Sequence, residues 1–481
     1  MRSKNCLAMW IVRKTFKKAA VAAAAVAAML VLQPVETLAA VSYMPDVTAE
    51  MNSPDYWLAL RGGDADAVLA DAGTIRRINA ANLANEKTNM NDLRNYSEIT
   101  DVVSFNKSLL ESSMTDLKKY QEKGYFDQFG NILSDDLIYL IAQNTQNQMG
   151  LQTMAPLYGI VVKRSLLCAF PTDFTITDEQ GDLNFDYNSL SAARVNEPLI
   201  IKSVSADGHW YYALSSNCYG WIKASDVAIC SSRTEWLNAW DIPSERALVV
   251  TRARLMLSES NTNPEISNLV LTMGTVLEQA PAGSYGARVT NRSAVGNHVV
   301  YVPVRGVDGR YRKELALVSA KAGVHEGYLP LTTRNVITVA FNMLGETYGW
   351  GGMLSSNDCS GYMTDVYKCF GLELPRNTTW QAASDAFSFD VTDYPDDQKA
   401  AILNNMPIGS VLFFKGHEMM YLGMVNGKYY VVSSVSSIGS FDGTGTMRTR
   451  SVIINTLDIQ RANKTTWMSN IYKIQIPYWM F

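Results

Sequence analysis

The stretch that decides the fold covers residues 348–381, YGWGGMLSSNDCSGYMTDVYKCFGLELPRNTTWQ. Glycines and a turn-prone segment at 354–357 lead into the sequence DCSG at 358–361. Apolar residues then recur at helical spacing, at Tyr362, Val366, Tyr367 and Phe370. Gly371 follows where a helix C-terminus is expected. The pattern predicts a loop that delivers a cysteine to the first turn of a helix.

The position of Cys359 has a chemical consequence. Unpaired N–H groups and the positive end of the helix dipole favour an anion in the first turn, so the thiol is expected to tend toward thiolate. That is the environment of a nucleophile. The alternative is an inert buried cysteine, which is the commoner fate of a free cysteine in a protein interior.

The leading 40 residues have the layout of a secretory signal peptide. A basic region ends at Lys18, an alanine- and leucine-rich run continues to Leu32, and small residues stand at Ala39 and Ala40. Because the apolar run is short for a membrane span, we expect cleavage and export to a periplasm or to the cell wall and medium, with no stable span afterwards. An uncleaved anchor is the alternative.

Charge and cysteine usage exclude several classes of function. The chain has 42 basic and 46 acidic residues, and residues 1–40 hold six of the basic ones and one acidic one. The remainder is acidic and has no global reason to bind nucleic acid.

The cysteines after residue 40 lack zinc spacing, so no metal and no cofactor are predicted. They are Cys168, Cys218, Cys230, Cys359 and Cys369. Export would permit a disulfide, and Cys218 and Cys230 are the nearest pair in the sequence. The sequence leaves open whether this pair is oxidised. It also leaves the oligomeric state open.

Three segments are predicted upstream of the cysteine. Residues 41–157 are predicted to be mostly helical, with one helix capped by Asp64 and another opened by Ser134. The first of these helices is expected to contain Val68, Leu69, Ile75 and Ile78. Residues 158–232 contain short β-rich runs separated by turn signals, which predict a small barrel. Residues 233–331 are predicted to form a second, more divergent barrel, linked to the first through residues 236–240.

The last segment, residues 332–481, is predicted to be an α+β domain. A helix ends near Gly345 and the cysteine helix follows. Strand-like runs then cover 409–416, 417–425 and 428–435, the last two joined by a hairpin turn at Asn426-Gly427. Helices followed by an antiparallel sheet indicate helices packed on that sheet.

A histidine suited to act as a general base lies in the same predicted domain as Cys359. Acyl transfer by cysteine requires a base that takes the thiol proton and later protonates the leaving amine. Of the four histidines, His417 alone follows Cys359, and it opens a predicted strand. The other histidines, His209, His298 and His325, lie in the predicted barrels and are interpreted as surface or structural residues.

These strings resemble a known family. YGWGG, DCSG, LPRNTTWQ and FFKGHEMMYLG together resemble the NlpC/P60 family of cell-wall cysteine peptidases. RSLLCAFPTDF, SADGHWYYALSSNCYGWIKASDV and ALVVTRARLML resemble the paired bacterial SH3-type domains of the multidomain branch of that family. The segment around SPDYWLAL resembles the N-terminal stabilising domain of the same branch.

The resemblance implies a papain-like cysteine peptidase that cleaves peptidoglycan stem peptides or muropeptides between γ-D-glutamate and a diamino acid. Cys359 would be the nucleophile and His417 the general base. Motif matching implies four residues that line the substrate site: Tyr348, Asp358, Ser360 and Arg376. A stem peptide offers carboxylates for Arg376 and an amine for Asp358.

The chain departs from the family at the residue that orients the base. A polar residue, often histidine, is expected one strand after the base, and here that position holds Ser433. Serine is uncharged and stabilises an imidazolium less than a carboxylate would. Two alternatives to the peptidase therefore remain: a wall-binding protein with weak or no activity, and an amidase or acyltransferase that uses the same Cys–His pair.

Overall fold

The structure is a computed structural model that describes residues 42–146 and 150–480. The predicted signal peptide, residues 1–40, lies outside the described residues. Within the described residues, we find no helix with the length and apolarity needed to cross a membrane.

Helices lie mainly before and after the central sheets, and most begin at a side chain that caps the first turn. Ser134, for example, accepts a hydrogen bond from the Leu137 N–H, as the sequence predicts. The α-helices are Pro54–Arg61, Ala72–Ala84, Val102–Glu122, Asp135–Gln143, Arg233–Trp240, Thr333–Phe341, Cys359–Lys368, Thr378–Ala382, Asp396–Leu403 and Trp467–Asn470. Short 3₁₀ helices cover Ala49–Asn52, Glu86–Thr88, Ala224–Asp226, Ser244–Arg246, Pro264–Ile266 and Trp350–Ser355.

The first predicted helix begins later than the sequence indicates. Val68–Ala70 form a strand, and the helix Ala72–Ala84 begins after Asp71, which caps it. The prediction of Asp64 as the helix cap is therefore wrong. The physical reason is tertiary, because the short strand pairs with Leu331–Thr332 across more than two hundred residues of sequence, and local periodicity does not encode that pairing.

Two antiparallel sheets occupy the middle of the described chain. The first contains, in spatial order, Val227–Ile229, Leu157–Val161, Pro198–Val204, Trp210–Leu214, Tyr219–Lys223, Ser165–Cys168 and Ser189–Ala193. The second contains Tyr311–Ser319, Asn297–Arg305, Val276–Gln279, Ala247–Val250 and Val324–Glu326. Two-stranded pairs are Arg254–Met256 with Val270–Thr272, Arg288–Val289 with Arg292–Ser293, and Thr100–Asp101 with Thr153–Met154. Each of the two larger sheets surrounds its own apolar cluster, and the helix Arg233–Trp240 connects them in sequence.

The C-terminal part of the chain has helices packed on an antiparallel sheet, as predicted. The sheet order is Phe387–Asp390, Lys473–Ile476, Val411–Phe414, His417–Val425, Lys428–Gly439 and Thr446–Thr456. Val425 pairs with Lys428, which confirms the hairpin at Asn426-Gly427. The cysteine helix Cys359–Lys368 packs on the strands His417–Val425 and Lys428–Gly439, and its predicted apolar positions are buried in the largest core.

A buried ion-pair network joins the first sheet to the cysteine helix. Arg194 follows the strand Ser189–Ala193 and forms ion pairs with Glu197 and with Asp365 of the helix. Asp365 also accepts a hydrogen bond from Asn357 Nδ2 at 2.7 Å. Interior charges are costly unless they are paired, so this network fixes the position of the sheet relative to the helix.

Arg194→Ala is expected to lower the free energy of unfolding by about 3–5 kcal/mol, because it leaves the buried Asp365 and the partly buried Glu197 without their cation. Denaturant titration followed by tryptophan fluorescence measures this loss. Arg334→Ala is the matched control, since the pair of Arg334 with Asp66 lies in solvent and its removal should barely move the midpoint. Equal losses in the two variants would show that the buried network is not structural.

Candidate active site

Cys359 is the first residue of the helix Cys359–Lys368, and Asp358 is the N-cap of that helix. One carboxylate oxygen of Asp358 accepts the Gly361 N–H at 2.8 Å, and the other accepts the Gly351 N–H at 3.1 Å. The carboxylate therefore ties the first helical turn to the preceding glycine loop. This geometry confirms the predicted placement of the cysteine in the first turn of a helix.

The glycine loop lies directly against the first sheet. Gly351 and Gly352 have φ values of 56° and 88°, which side-chain-bearing residues rarely adopt. A Cβ on Gly351 would lie 2.3 Å from the Ser189 carbonyl oxygen, and one on Gly352 would lie 2.6 Å from the Ala192 Cβ. The Ser189 hydroxyl also donates to the Gly351 carbonyl at 3.0 Å. The glycines are thus required for the strand Ser189–Ala193 to lie beside the cysteine loop.

Arg376 binds the residues that flank the cysteine. Its guanidinium donates to both carboxylate oxygens of Asp358, at 2.7 and 3.1 Å, and to the Ser360 hydroxyl at 2.9 Å. Its Nε donates to the hydroxyl of Ser191, which lies on the first sheet, at 2.8 Å. All four side chains are buried. The fork-to-fork geometry is the strong bidentate form of an ion pair.

This pairing changes the expectation for substrate recognition. The sequence interpretation gave Arg376 to substrate carboxylates and Asp358 to a substrate amine, whereas in the structure the two side chains bind each other. Burial alone would raise the pKa of Asp358, but the Arg376 guanidinium and the backbone N–H groups hold that pKa below its usual value. Asp358 is therefore a carboxylate, and its charge is already balanced.

The thiol of Cys359 lies in a closed environment and is 8% exposed. Its sulfur is 3.7 Å from the Thr378 hydroxyl and receives the backbone N–H of Glu418. Burial, followed by the charges of Asp358 and Glu418, raises the pKa of Cys359 to about 12. The expectation of a thiolate is therefore wrong for this unliganded arrangement. Desolvation and a neighbouring carboxylate outweigh the helix dipole, whose contribution to a partly buried charge is at most about 2 kcal/mol.

His417 opens the strand His417–Val425 and is buried. Its Nε2 is 3.1 Å from the Ser433 hydroxyl, so the serine lies where the sequence places the residue that orients the base. The ring packs against Phe414 and Trp467, with centroid distances of 5.2 and 5.0 Å. Burial, assisted by the positive charge of Arg461, lowers the pKa of His417 to about 3, so the imidazole is neutral.

The thiol and the imidazole have separate partners. Among the described residues there is no hydrogen bond between Cys359 and His417. The sulfur lies 3.7 Å from the Thr378 hydroxyl, and Nε2 of the ring lies 3.1 Å from the Ser433 hydroxyl. Catalytic hydrogen bonds are often long or misaligned in unliganded enzymes and tighten when substrate binds. Both groups are uncharged in the structure.

Tyr348 completes the group of residues named from the sequence. It is 6% exposed, and burial together with the nearby charges of Cys359 and Asp358 raises its pKa well above the usual value. Tyr348, Asp358, Ser360 and Arg376 thus surround the cysteine on one side. His417 and Ser433 form a separate pair on the sheet.

Sequence reasoning missed three residues at the site. Ser191 comes from a distant sheet and carries no local signal. Thr378 lies within the LPRNTTWQ string that the sequence analysis quoted, but its spacing from the cysteine does not reveal a contact. Glu418 had a signal, since it is the one acidic residue in the apolar strand HEMMYLGMV.

The described residues include no group of three or more His, Cys, Asp or Glu side chains arranged to hold a metal ion. The cysteines at 168, 218, 230, 359 and 369 are all free and buried. Cys218 and Cys230, the pair that the sequence left open, are not bonded to each other.

Comparison with known proteins agrees with this architecture. Residues 345–475 match the model of the NlpC/P60 family, and residues 174–223 match an SH3 domain of the SH3b1 type. Residues 345–475 therefore form an NlpC/P60 domain. Members of this family are in general cell-wall peptidases, which supports a cysteine peptidase or hydrolase that acts at the cell wall.

One of the solved structures that the chain resembles has a similar fold. An NlpC/P60 endopeptidase from Photobacterium damselae subsp. piscicida superposes with a TM-score of 0.69 at 18% identity, over 92% of this chain and 99% of the other. NlpC2 and NlpC1 from Trichomonas vaginalis have TM-scores of 0.26 and 0.22 at 14% and 12% identity. They cover 68% and 64% of this chain, and 98% and 93% of their own. No curated protein matches the chain significantly.

The buried neutral imidazole makes the fold sensitive to acid. The pKa of His417 is about 3 in the folded protein and near 6.5 when unfolded, so the unfolded chain takes up the proton first as the pH falls. The contribution of the neutral imidazole to the free energy of unfolding is complete above pH 6.5 and is lost toward pH 3. Between these values the free energy of unfolding changes by up to about 1.4 kcal/mol per pH unit. We expect urea denaturation between pH 4 and 7 to show a shallower pH dependence for His417→Gln than for the wild type. Parallel curves would contradict a buried neutral histidine.

Proposed function

We propose that the protein is an exported cysteine peptidase that hydrolyses the bond between γ-D-glutamate and a diamino acid in peptidoglycan stem peptides. The observation that carries the proposal is the position of Cys359, in the first turn of a helix that packs on a sheet whose strand opens with His417. Membership of the NlpC/P60 family supports the reaction class. The predicted signal peptide supports export, to a periplasm or to the cell wall and medium.

The reaction proceeds through a thioester. His417 takes the proton of Cys359, and the thiolate attacks the carbonyl carbon of the amide. The imidazolium then gives its proton to the leaving amine as the C–N bond breaks. A water molecule, deprotonated by His417, cleaves the thioester and restores the thiol with release of the carboxylate product. Ser433 accepts or donates one hydrogen bond at Nε2 and so fixes the ring orientation.

Substrate recognition is assigned to the residues around the thiol. Asp358 and Arg376 are bound to each other, so their opposite charges cancel and both side chains are held rigidly. We assign the amine of the substrate to the neighbourhood of this pair, beside Tyr348 and Ser360. The strand Ser189–Ala193 of the first sheet closes the same side of the site and narrows access to it.

A second candidate is a wall-binding protein with little or no hydrolytic activity. Two observations favour it: the uncharged Ser433 beside His417, and the absence of a thiol–imidazole hydrogen bond among the described residues. The retained set of Cys359, His417, Asp358 and Arg376 favours the peptidase. Incubation with muropeptides of known structure distinguishes the two.

Wild-type protein under reducing conditions is expected to split a muropeptide between D-glutamate and the diamino acid, with the products identified by mass spectrometry. Cys359→Ala should abolish the products and leave the thermal midpoint close to the wild-type value, because the small side chain stays compatible with the first helical turn. If the wild type makes no such cut, the proposed reaction is wrong. If Cys359→Ala unfolds, the cysteine is a packing residue.

The role of Ser433 is tested by comparing two alanine variants. His417→Ala removes the general base and should lower kcat by about 10²–10⁴-fold. Ser433→Ala should lower kcat less than His417→Ala does. It removes one neutral hydrogen bond from a ring that already packs against Phe414 and Trp467. Steady-state kinetics on one muropeptide measures both. Equal losses would mean that the serine orients the base more strongly than its lack of charge suggests.

A further inference from the structure

A second cleft lies where the first and second sheets approach the loop that precedes Cys359. Its volume is about 420 Å³, which is within the usual range for small-molecule sites. Neither Cys359 nor His417 lines it, so this junction cleft is distinct from the candidate active site. The residues that line it are 162–164, 225–226, 265, 267–270, 303–305 and 355.

The junction cleft is rich in cations although the chain after residue 40 is acidic. Three basic side chains line it: Lys163, Arg164 and Arg305. Asp226 and Glu265 line it as well. Within the described residues, however, neither of them nor any other carboxylate forms an ion pair with the three basic side chains. The positive charges of the cleft are therefore unpaired.

Arg164 uses only part of its hydrogen-bonding capacity. Its Nη2 donates to the Ser356 carbonyl oxygen at 3.0 Å, and Ser356 precedes Cys359 by three residues. A guanidinium has five N–H donors, and this is the one hydrogen bond that the described part of the chain gives Arg164. The contact fixes the side chain and leaves donors for a further acceptor.

Arg305 is held in the same manner, by backbone carbonyl groups. Its Nε donates to the carbonyl oxygens of Ala224 and Val227, at 3.2 and 3.0 Å. Its Nη1 donates to the Gly306 carbonyl oxygen at 3.5 Å. These acceptors are neutral, so they hold the guanidinium in place without balancing its charge. A cation that is fixed before a ligand arrives loses little conformational freedom when the ligand binds.

The surroundings of Arg164 show that its charge is poorly compensated. Burial lowers the pKa of Arg164 to about 10, and the positive charges of Arg194 and Arg254 act in the same direction. Asp365 and Glu197 oppose this effect, but both already form ion pairs with Arg194. A cation removed from water without its own counterion is costly, and a bound anion would relieve that cost.

We infer that the junction cleft binds an oxyanion, either a carboxylate or a phosphate group, through Arg164 and Arg305, with the exposed Lys163 adding attraction. The planar guanidinium matches both oxyanions and can bind either of them with two parallel hydrogen bonds, whereas lysine acts as a point charge. A molecule that carries this group is thereby held beside the loop that leads to Cys359. The inference does not depend on the proposed peptidase reaction.

The test is isothermal titration calorimetry of the wild-type protein at low ionic strength, with inorganic phosphate and with succinate in separate titrations. We expect one anion to bind per chain. Arg164→Gln and Arg305→Gln should each weaken binding about tenfold or more, because each removes hydrogen bonds between a charged donor and a charged acceptor. Binding of phosphate alone identifies a phosphate ligand, and binding of succinate alone identifies a carboxylate ligand.

Lys163→Gln covers the case in which an arginine variant does not fold. Lys163 is exposed and has no hydrogen bond within the described residues, so its replacement should leave the fold intact and still weaken binding. Thermal midpoints check each variant. The anion should raise the midpoint of the wild type, because it binds the folded state, and should raise the midpoints of the cleft variants less.

Arg334→Gln is the matched control, since it removes the same charge from a guanidinium that pairs with Asp66 in solvent and does not line the cleft. It should bind the anion as tightly as the wild type does.

Three results would overturn the inference. If the wild type binds neither phosphate nor succinate, the cleft is not an oxyanion site. If the cleft variants bind as tightly as the wild type, the anion binds elsewhere. If Arg334→Gln weakens binding as much as Arg164→Gln does, the anion responds to net charge alone. Cleavage of muropeptides is a separate measurement, so failure of the proposed function and failure of this inference are distinguishable.

Discussion

The buried ion pair between Asp358 and Arg376 is the interaction on which the site depends. The same carboxylate caps the helix that begins with Cys359 and holds the Gly351 N–H of the preceding loop. The same guanidinium reaches Ser191 on the first sheet. Removing either partner would leave an uncompensated charge in the interior at the point where loop, helix and sheet meet. The cysteine is therefore positioned by electrostatics as much as by apolar packing.

The first sheet contributes residues to the site. Its strand Ser189–Ala193 lies against glycines 351 and 352, which have no Cβ to prevent the approach. Arg194 continues the contact through its ion pair with Asp365 on the cysteine helix. These contacts couple the stability of the sheet to the geometry of the thiol. Residues from two parts of the chain therefore lie around Cys359.

The protonation states follow from burial more than from the helix dipole. The helix N-terminus favours an anion at Cys359, but the closed surroundings and the Asp358 carboxylate disfavour it more strongly. The histidine is neutral for the same reason. The protein thus holds an uncharged thiol and an uncharged imidazole.

The sequence by itself determined the local structure around Cys359. Helical spacing of the apolar residues, the placement of Cys359 in a first helical turn and the Asn426-Gly427 turn are short-range features, and each appears in the structure as predicted. The pairing of His417 with Ser433 was also foreseeable, because the hairpin fixes which residues of adjacent strands lie close. Tertiary structure alone decided the strand at Val68–Ala70, the Asp358–Arg376 pair, the contribution of Ser191 and the uncharged state of the thiol. These depend on which groups meet across long sequence separations and on how much water is excluded there, and neither quantity is encoded in local periodicity.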